Sequence, residues 1–296
     1  MTPCRPPLRR TSREQDNIPW NRNWQAPPPW SPGASSGIGA ATARRLAGHG
    51  ACVALVARRR DRLEALAAEI GQAGGTALAV EADITDRTQA EAAVQQAAGR
   101  FGRLDTLVNN AGLMLLGPVA GADPQEWDRM IAINIQGLLY TTRAALPYLL
   151  QAAQQRPRRV ADVVNISSIA GRVACNAYGV YSFTKFGVYG FTESLRQEVA
   201  QRHVRVGVVE PGGVATELGS HNKPQVRNEM IDPFYDQTEV LAPDDIADGI
   251  AYVVTRPATP PSASCGSRPP NRYDHTRGPG AAITARSAQS GCGWTN

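Results

Sequence analysis

Between Gly33 and Arg256, short β-branched apolar runs alternate with longer stretches rich in Ala, Leu, Glu and Gln. The runs at Cys52–Val56, Thr76–Val80, Leu104–Val108, Val160–Ile166 and Val204–Val209 are apolar enough to be strands covered on both faces. An Ala-rich stretch at Ala40–Ala47 and amphipathic stretches at Asp61–Ala73, Asp86–Arg100, Asp123–Leu150 and Ser182–Arg202 predict helices between them. Three of these open on Asp, a favourable N-cap or first-turn residue. This alternation predicts an α/β fold, a doubly wound parallel sheet of Rossmann type in a single domain spanning 33–256. A chain of 296 residues, 42% hydrophobic, can build one large domain of that kind.

The two ends break the pattern. Residues 1–32 and 257–296 hold 14 of the 22 prolines and four of the five tryptophans, with neither helical nor strand periodicity, so irregular structure is expected there. They also hold the basic excess. Five arginines against Glu14 and Asp16 at one end, and four against Asp274 at the other, give +3 each, within a total of +5. The middle is −1, which gives the folded part no general attraction for a nucleic-acid backbone. The apolar runs are too short to span a bilayer, and no apolar leader follows the N-terminal arginines. Cys4, Cys52, Cys175, Cys265 and Cys292 are odd in number and lack paired spacing, and the four histidines are scattered. Neither a disulfide framework nor a metal site is expected, and the setting expected is cytoplasmic.

Chemistry enters at Gly33-Ala34-Ser35-Ser36-Gly37-Ile38-Gly39, just before the Ala40–Ala47 helix. Its glycines would let backbone approach a pyrophosphate at the helix N-terminus, although a Gly/Ser turn before a helix is often only a turn. After the next strand comes Ala57-Arg58-Arg59-Arg60, where an acidic residue reading a ribose 2′-hydroxyl would otherwise stand. Arginines there can pair with a 2′-phosphate. A solvated basic start to the following helix competes as an explanation, more for Arg60 than for Arg58.

From Gly33 to Arg256 the sequence resembles the short-chain dehydrogenase/reductase family. The glycine loop matches at Gly33 to Gly39, with Ser35, Ser36 and Ile38 among its cofactor-facing positions. The adenine-contacting acid falls on Asp83, followed by Ile84, and the N-N-A-G motif on Asn109-Asn110-Ala111-Gly112. The post-strand P-G falls on Pro211-Gly212, with Val214 and Thr216 beyond it. In the catalytic set the helical asparagine falls on Asn134, the strand-end serine on Ser168, and Y-x3-K on Tyr181 and Lys185. Thirteen residues separate Ser168 from Tyr181, and that spacing alone favours Ser168 over Ser167.

The resemblance implies an oxidoreductase using NADP(H), with NAD(H) as the other option, on a small carbonyl or alcohol, and a homo-oligomer. Over Val53–Arg59 it is nearest to the hydroxy-acid and clavulanate dehydrogenase-like branches. Tyr181 would transfer the proton, Lys185 would lower its pKa from about 10 and reach the nicotinamide ribose, Ser168 would place the substrate oxygen, and Asn134 would hold a relay water. Asn109 would brace the sheet while Asn110, Ala111 and Gly112 approach the cofactor. Tyr178 lacks a lysine four residues on and reads as a pocket or surface residue. Arg172 reads as an exposed or ion-paired loop arginine ahead of an anion-binding one. Gly213 to Val240, with His221, Phe234 and Tyr235, would form a lid over the substrate. A non-catalytic nucleotide sensor on the same fold and a damaged, inactive gene product are the rival readings.

The chain departs from the family at both ends. Where a central first strand should run into the glycine loop stands Ala26-Pro27-Pro28-Pro29-Trp30-Ser31-Pro32, and where a closing strand should follow Arg256 stands Pro257-Ala258-Thr259-Pro260-Pro261. Four prolines in seven residues predict a disrupted first strand, because each removes a ladder donor. Both breaks are abrupt, as a change of reading frame would make them. Joining the third base of each codon to the next two, Asn23–Gly33 permits Leu-Ala-Gly-Ala-Thr-Ala-Val-Val-Thr-Gly, and Arg268–Asp274 permits Pro-Thr-Glu-Gln-Val and a stop. Sequencing the gene checks this: DNA around codons 23–33 and 257–274 should encode those strands in the shifted frame, and DNA that cannot do so disproves the displacement.

Overall fold

The computed structural model describes residues 29–257, with residues 29–32 described through their backbone alone. In chain order the elements are β1 (Pro29–Pro32), α1 (Gly37–Gly48), β2 (Cys52–Ala57), α2 (Arg60–Gln72), β3 (Thr76–Glu81), α3 (Arg87–Phe101) and β4 (Thr106–Asn109). Then come α4 (Pro124–Ile131), a π-helical turn (Ala132–Gly137), α5 (Leu138–Ala152), β5 (Ala161–Ile166), α6 (Gly179–Val199) and β6 (Val204–Val209). The short helices α7 (Pro224–Val226) and α8 (Asp232–Gln237) precede α9 (Pro243–Thr255). The six strands form one parallel sheet in the order β3-β2-β1-β4-β5-β6. This is the predicted doubly wound layout, and the five predicted strands match within two residues at either end.

Strand alternation decides which helices cover which face. Val53 and Leu55 point to one side, where α1 (Ala43, Leu46), α2 (Leu63, Leu66) and α9 (Ile250, Val254) bury them. Ala54 and Val56 point to the other, beneath α3 (Val94), with α5 (Leu149) and α6 (Leu195) covering the rest of that face. Each such buried aliphatic side chain stabilises the fold by roughly 1.5–3 kcal/mol. The Asp86 and Asp123 side chains cap α3 and α4 as expected, accepting from Gln89 N and Gln125 N, whereas Asp61 lies in the first turn of α2. The predicted helix Asp123–Leu150 runs as α4, the π-helical turn and α5. Among the described residues no helix is long and apolar enough to cross a membrane.

The expected disruption of the first strand is corrected. β1 lies at the centre of the sheet, with Trp30 opposite Ala54 of β2 and opposite Leu107 of β4. Proline's fixed φ is compatible with extended backbone, and its cost in a sheet is the lost donor. Pro29 and Pro32 are the terminal residues of β1, so its two interior residues, Trp30 and Ser31, keep their N–H groups, and successive N–H groups in a strand face opposite neighbours. Gly33 then continues the ladder, donating to Val56 O at 2.8 Å. The tract after Pro257, including the expected closing strand, lies outside the described residues.

At the N-terminal edge of the sheet, Asp105 and Asp162 are fully buried carboxylates. Arg103 grips Asp105, while Arg158 and Arg205 hold Asp162 at 2.7 and 2.6 Å. Losing one partner of such a pair typically costs about 3–5 kcal/mol, because the other charge stays buried. This edge is a clamp. The opposite edge, where the strands end, carries the glycine loop, Asn109–Gly112 and Ser168.

Candidate active site

β1 lies between β2 and β4, so the chain leaves β1 toward one side of the sheet and β4 toward the other, opening a crevice at their C-terminal ends. Gly33 lines it at φ +79°, which favours glycine, and a Cβ on it would stand 2.7 Å from Ala111 Cα. Asn110 Nδ2 donates to Gly33 O at 3.1 Å, pinning the two turns together. Ser36 is the N-cap of α1 and makes no side-chain capping bond. The first-turn N–H groups at Gly37, Ile38 and Gly39 thus face the crevice at the positive end of the helix dipole, a set that fits a pyrophosphate.

The basic residues after β2 divide. Arg59 lies on the glycine loop, donating to Ser35 Oγ at 2.9 Å and Ser36 Oγ at 3.0 Å, and also to Glu217 Oε2 at 3.2 Å. Arg58 is largely exposed, 4.0 Å from Asp83 Oδ2. Asp83 Oδ1 accepts from Thr85 N and Thr85 Oγ1 at 3.0 and 2.7 Å, which fixes the turn after β3, and Ile84 is buried in the core beside it. Arg60 pairs with Glu64 on its own helix, the solvated reading of that residue.

After β6, Pro211 O accepts from Ile169 N at 3.0 Å, and Gly212 is exposed. Val214 is buried and bridges Leu241, and Thr216 Oγ1 caps the following turn by accepting from Leu218 N.

The catalytic candidates come together from three elements. Tyr181 and Lys185 share a face of α6, with Lys185 Nζ 5.8 Å from the Tyr181 ring centroid. Lys185 is buried and donates to Ile166 O, at the end of β5, at 3.0 Å. Ser167 and Ser168 follow that strand. Ser167 Oγ donates to Lys185 O at 2.9 Å and so braces the helix, whereas Ser168 Oγ accepts from Ala170 N at 3.2 Å and acts on the Tyr181 phenol, favouring its ionised form.

Asn134 sits in the π-helical turn. Its Oδ1 accepts from Leu113 N at 2.8 Å, and its Nδ2 donates to Leu113 O and Thr184 Oγ1 at 2.9 and 3.0 Å. It therefore ties the irregular segment following Gly112 to α6. Gly112 passes close by: a Cβ there would be in ordinary contact with both Asn134 Oδ1 and Lys185 Nζ, 3.7 Å from each. Asn109, buried in the sheet, donates to Thr142 Oγ1 and Asn165 Oδ1 at 2.9 and 2.8 Å, the bracing role expected of it.

Electrostatics at the pair is set by burial. The Tyr181 phenol is pushed up to about 12, chiefly because its anion would be stripped of water; the Ser168 hydrogen bond opposes this, and neighbouring Tyr178 and Tyr235 add to it. Burial pushes Lys185 down to about 8. The expected lowering of the phenol is thus outweighed in this state. At pH 7 Tyr181 holds its proton and Lys185 remains an ammonium.

The alternatives weighed from sequence also find their places. Tyr178 packs edge-to-face on Tyr181 with ring centroids 6.3 Å apart, as a pocket residue. Arg172 is paired with Glu210 at 2.8 Å and stacked on the Tyr189 ring at 3.6 Å. Sequence reasoning missed Asn222, which is buried, accepts from Leu116 N at 2.7 Å and donates to Met114 O at 2.9 Å. It ties the predicted lid to the turn after β4 from more than 100 residues away, and no local pattern marks it.

Comparison with known proteins agrees with this geometry. The short chain dehydrogenase family profile matches residues 32–227. An uncharacterized oxidoreductase of Staphylococcus saprophyticus is 37% identical over 76% of this chain and 88% of that protein. Among solved structures, a short-chain dehydrogenase/reductase from Serratia marcescens is 31% identical with a TM-score of 0.68, covering 78% of this chain and 91% of that one. The 3-ketoacyl-(acyl-carrier-protein) reductase from Brucella melitensis, complexed with NADH, is 29% identical with a TM-score of 0.69, covering 81% and 93%. With its glycine loop, strand-end serine and Tyr181–Lys185 pair on one crevice, the chain belongs to the short-chain dehydrogenase/reductase family of nicotinamide-dependent oxidoreductases.

Proposed function

We propose that the protein is an NADP(H)-preferring oxidoreductase that interconverts a small carbonyl and its alcohol, with Tyr181 as the proton-transfer group. One observation carries this reading: the buried Tyr181 and Lys185 share a face of α6 beside the half-buried Ser168, near the glycine loop. The nicotinamide, when bound, supplies or accepts the hydride. In reduction the carbonyl oxygen gains negative charge and needs donors in a water-poor place. Ser168 and Tyr181 donate to it, and Tyr181 Oη then gives up its proton to the new alkoxide. Lys185, charged at neutral pH, stabilises the phenolate left behind. Return of the proton runs by way of a water near Asn134 and Lys185. Oxidation runs these proton movements in reverse.

The preference for NADP(H) is supported by Arg59, already held on Ser35 and Ser36, and by Arg58, with Ala57 standing where a carboxylate would repel a 2′-phosphate. A non-catalytic nucleotide sensor would have no use for a buried tyrosine and lysine set beside a strand-end serine.

Two outcomes are expected. Tyr181→Phe should lower kcat by about 10²–10⁴, the usual scale of general acid–base catalysis, with nucleotide affinity unchanged; turnover at the parental rate would remove Tyr181 from the chemistry. In the parent, kcat/KM should be higher with NADPH than with NADH, and Arg58→Ala should cost NADPH about tenfold while sparing NADH, since it deletes a charge-assisted bond to the 2′-phosphate. Equal kcat/KM for the two cofactors in the parent would defeat the preference.

A further inference from the structure

Glu217 comes from the segment after β6, yet its carboxylate rests on the basic start of α2. Arg62 Nη1 donates to its Oε1 at 2.7 Å and to its Oε2 at 3.0 Å, and Arg59 Nη1 donates to its Oε2 at 3.2 Å. The neighbouring arginines have other partners, Arg58 facing Asp83 and Arg60 paired with Glu64. Arg59 is also the arginine that lies on the glycine-loop serines. Just before Glu217, Thr216 approaches the same loop: a Cβ on Gly37 would come within 3.0 Å of its methyl group. The two arginines hold the Glu217 carboxyl below its usual range, so it is an anion at neutral pH. A carboxylate thus occupies two guanidinium groups beside a cradle suited to phosphate.

We propose that Glu217 is an intramolecular stand-in for the nucleotide 2′-phosphate, holding Arg59 and Arg62 until that phosphate displaces it and thereby frees the segment beginning at Thr216. This rests on the NADP(H) reading above and adds a specificity-determining residue to it. A phosphate brings more charge and more acceptor oxygens than a carboxylate, so it can win both arginines. Glu217 is about half exposed, so water is at hand to solvate the displaced carboxylate. A nucleotide with a bare 2′-hydroxyl has nothing to offer the arginines and leaves the latch closed. Cofactor identity would then be transmitted to the segment that carries Asn222 and Tyr235, both of which reach the active-site side of the crevice.

The test uses the full chain with adenosine 2′,5′-bisphosphate and 5′-AMP as probes, in calorimetric titrations of the parent and Glu217→Gln, together with limited trypsin cleavage at Arg227. The parent should bind the bisphosphate more tightly than 5′-AMP. Glu217→Gln should tighten the bisphosphate about tenfold, the scale of one charge-assisted competitor, and leave 5′-AMP unchanged. Cleavage at Arg227 should quicken when the bisphosphate is added to the parent, and should be fast in Glu217→Gln without it. If the parent discriminates but Glu217→Gln binds the bisphosphate no better, the latch is wrong and the NADP(H) reading stands. If the parent does not discriminate, both fall.

Discussion

The chain divides at one place, where β1 and β4 lie side by side and send their continuations to opposite faces of the sheet. Everything functional in this protein is arranged around that divergence. It requires backbone at Gly33 and Ala111 to pass closer than a side chain would permit, and the Asn110 side chain holds the two turns at that distance. Once they are held, the free N-terminus of α1 faces the opening, and β5 delivers Ser168 to its far wall. The central strand on which this depends is only four residues long, and it survives its prolines because they stand at its ends.

The second constraint is burial at the Tyr181–Lys185 pair. Removing water raises the cost of both the phenolate and the ammonium, so the phenol moves up and the lysine down. A buried tyrosine with a raised pKa keeps its proton and is a weaker acid than free tyrosine, so it needs a donor such as Ser168 and a positive neighbour to bring that pKa back toward neutrality. The site provides both. Its rigidity comes from the polar braces around it, with Ser167 on the backbone of Lys185, Asn134 on Leu113 and Thr184, and Asn222 on Met114 and Leu116.

Much of this was legible in the sequence because it depends on local pattern. Alternating apolar runs predicted the strands, and Asp86 and Asp123 announced their caps. What was not legible depends on distant contacts or on counting the right quantity. β1 was discounted because every proline was charged as a lost ladder bond, whereas only the donors of Trp30 and Ser31 are needed inside so short a strand. The π-helical turn that presents Asn134 looks like uninterrupted helix. Arg58 and Arg59 are adjacent in sequence, and only the fold places one on the glycine loop and the other toward Asp83. Glu217 and Asn222 act on partners more than 100 residues away, with nothing beside them in the chain to signal it.

The central claim is that burial sets the protonation of Tyr181 in the nucleotide-free protein and that bound oxidised cofactor reverses it. An ultraviolet difference titration of the parent against a Tyr181→Phe reference isolates this one phenol. Without nucleotide it should ionise well above free tyrosine, toward about 12, and saturation with NADP⁺ should bring it down because a positive ring then stands beside it. A Tyr181 that titrates at or below the free-tyrosine value of about 10 without nucleotide, or whose titration is indifferent to NADP⁺, would contradict the account.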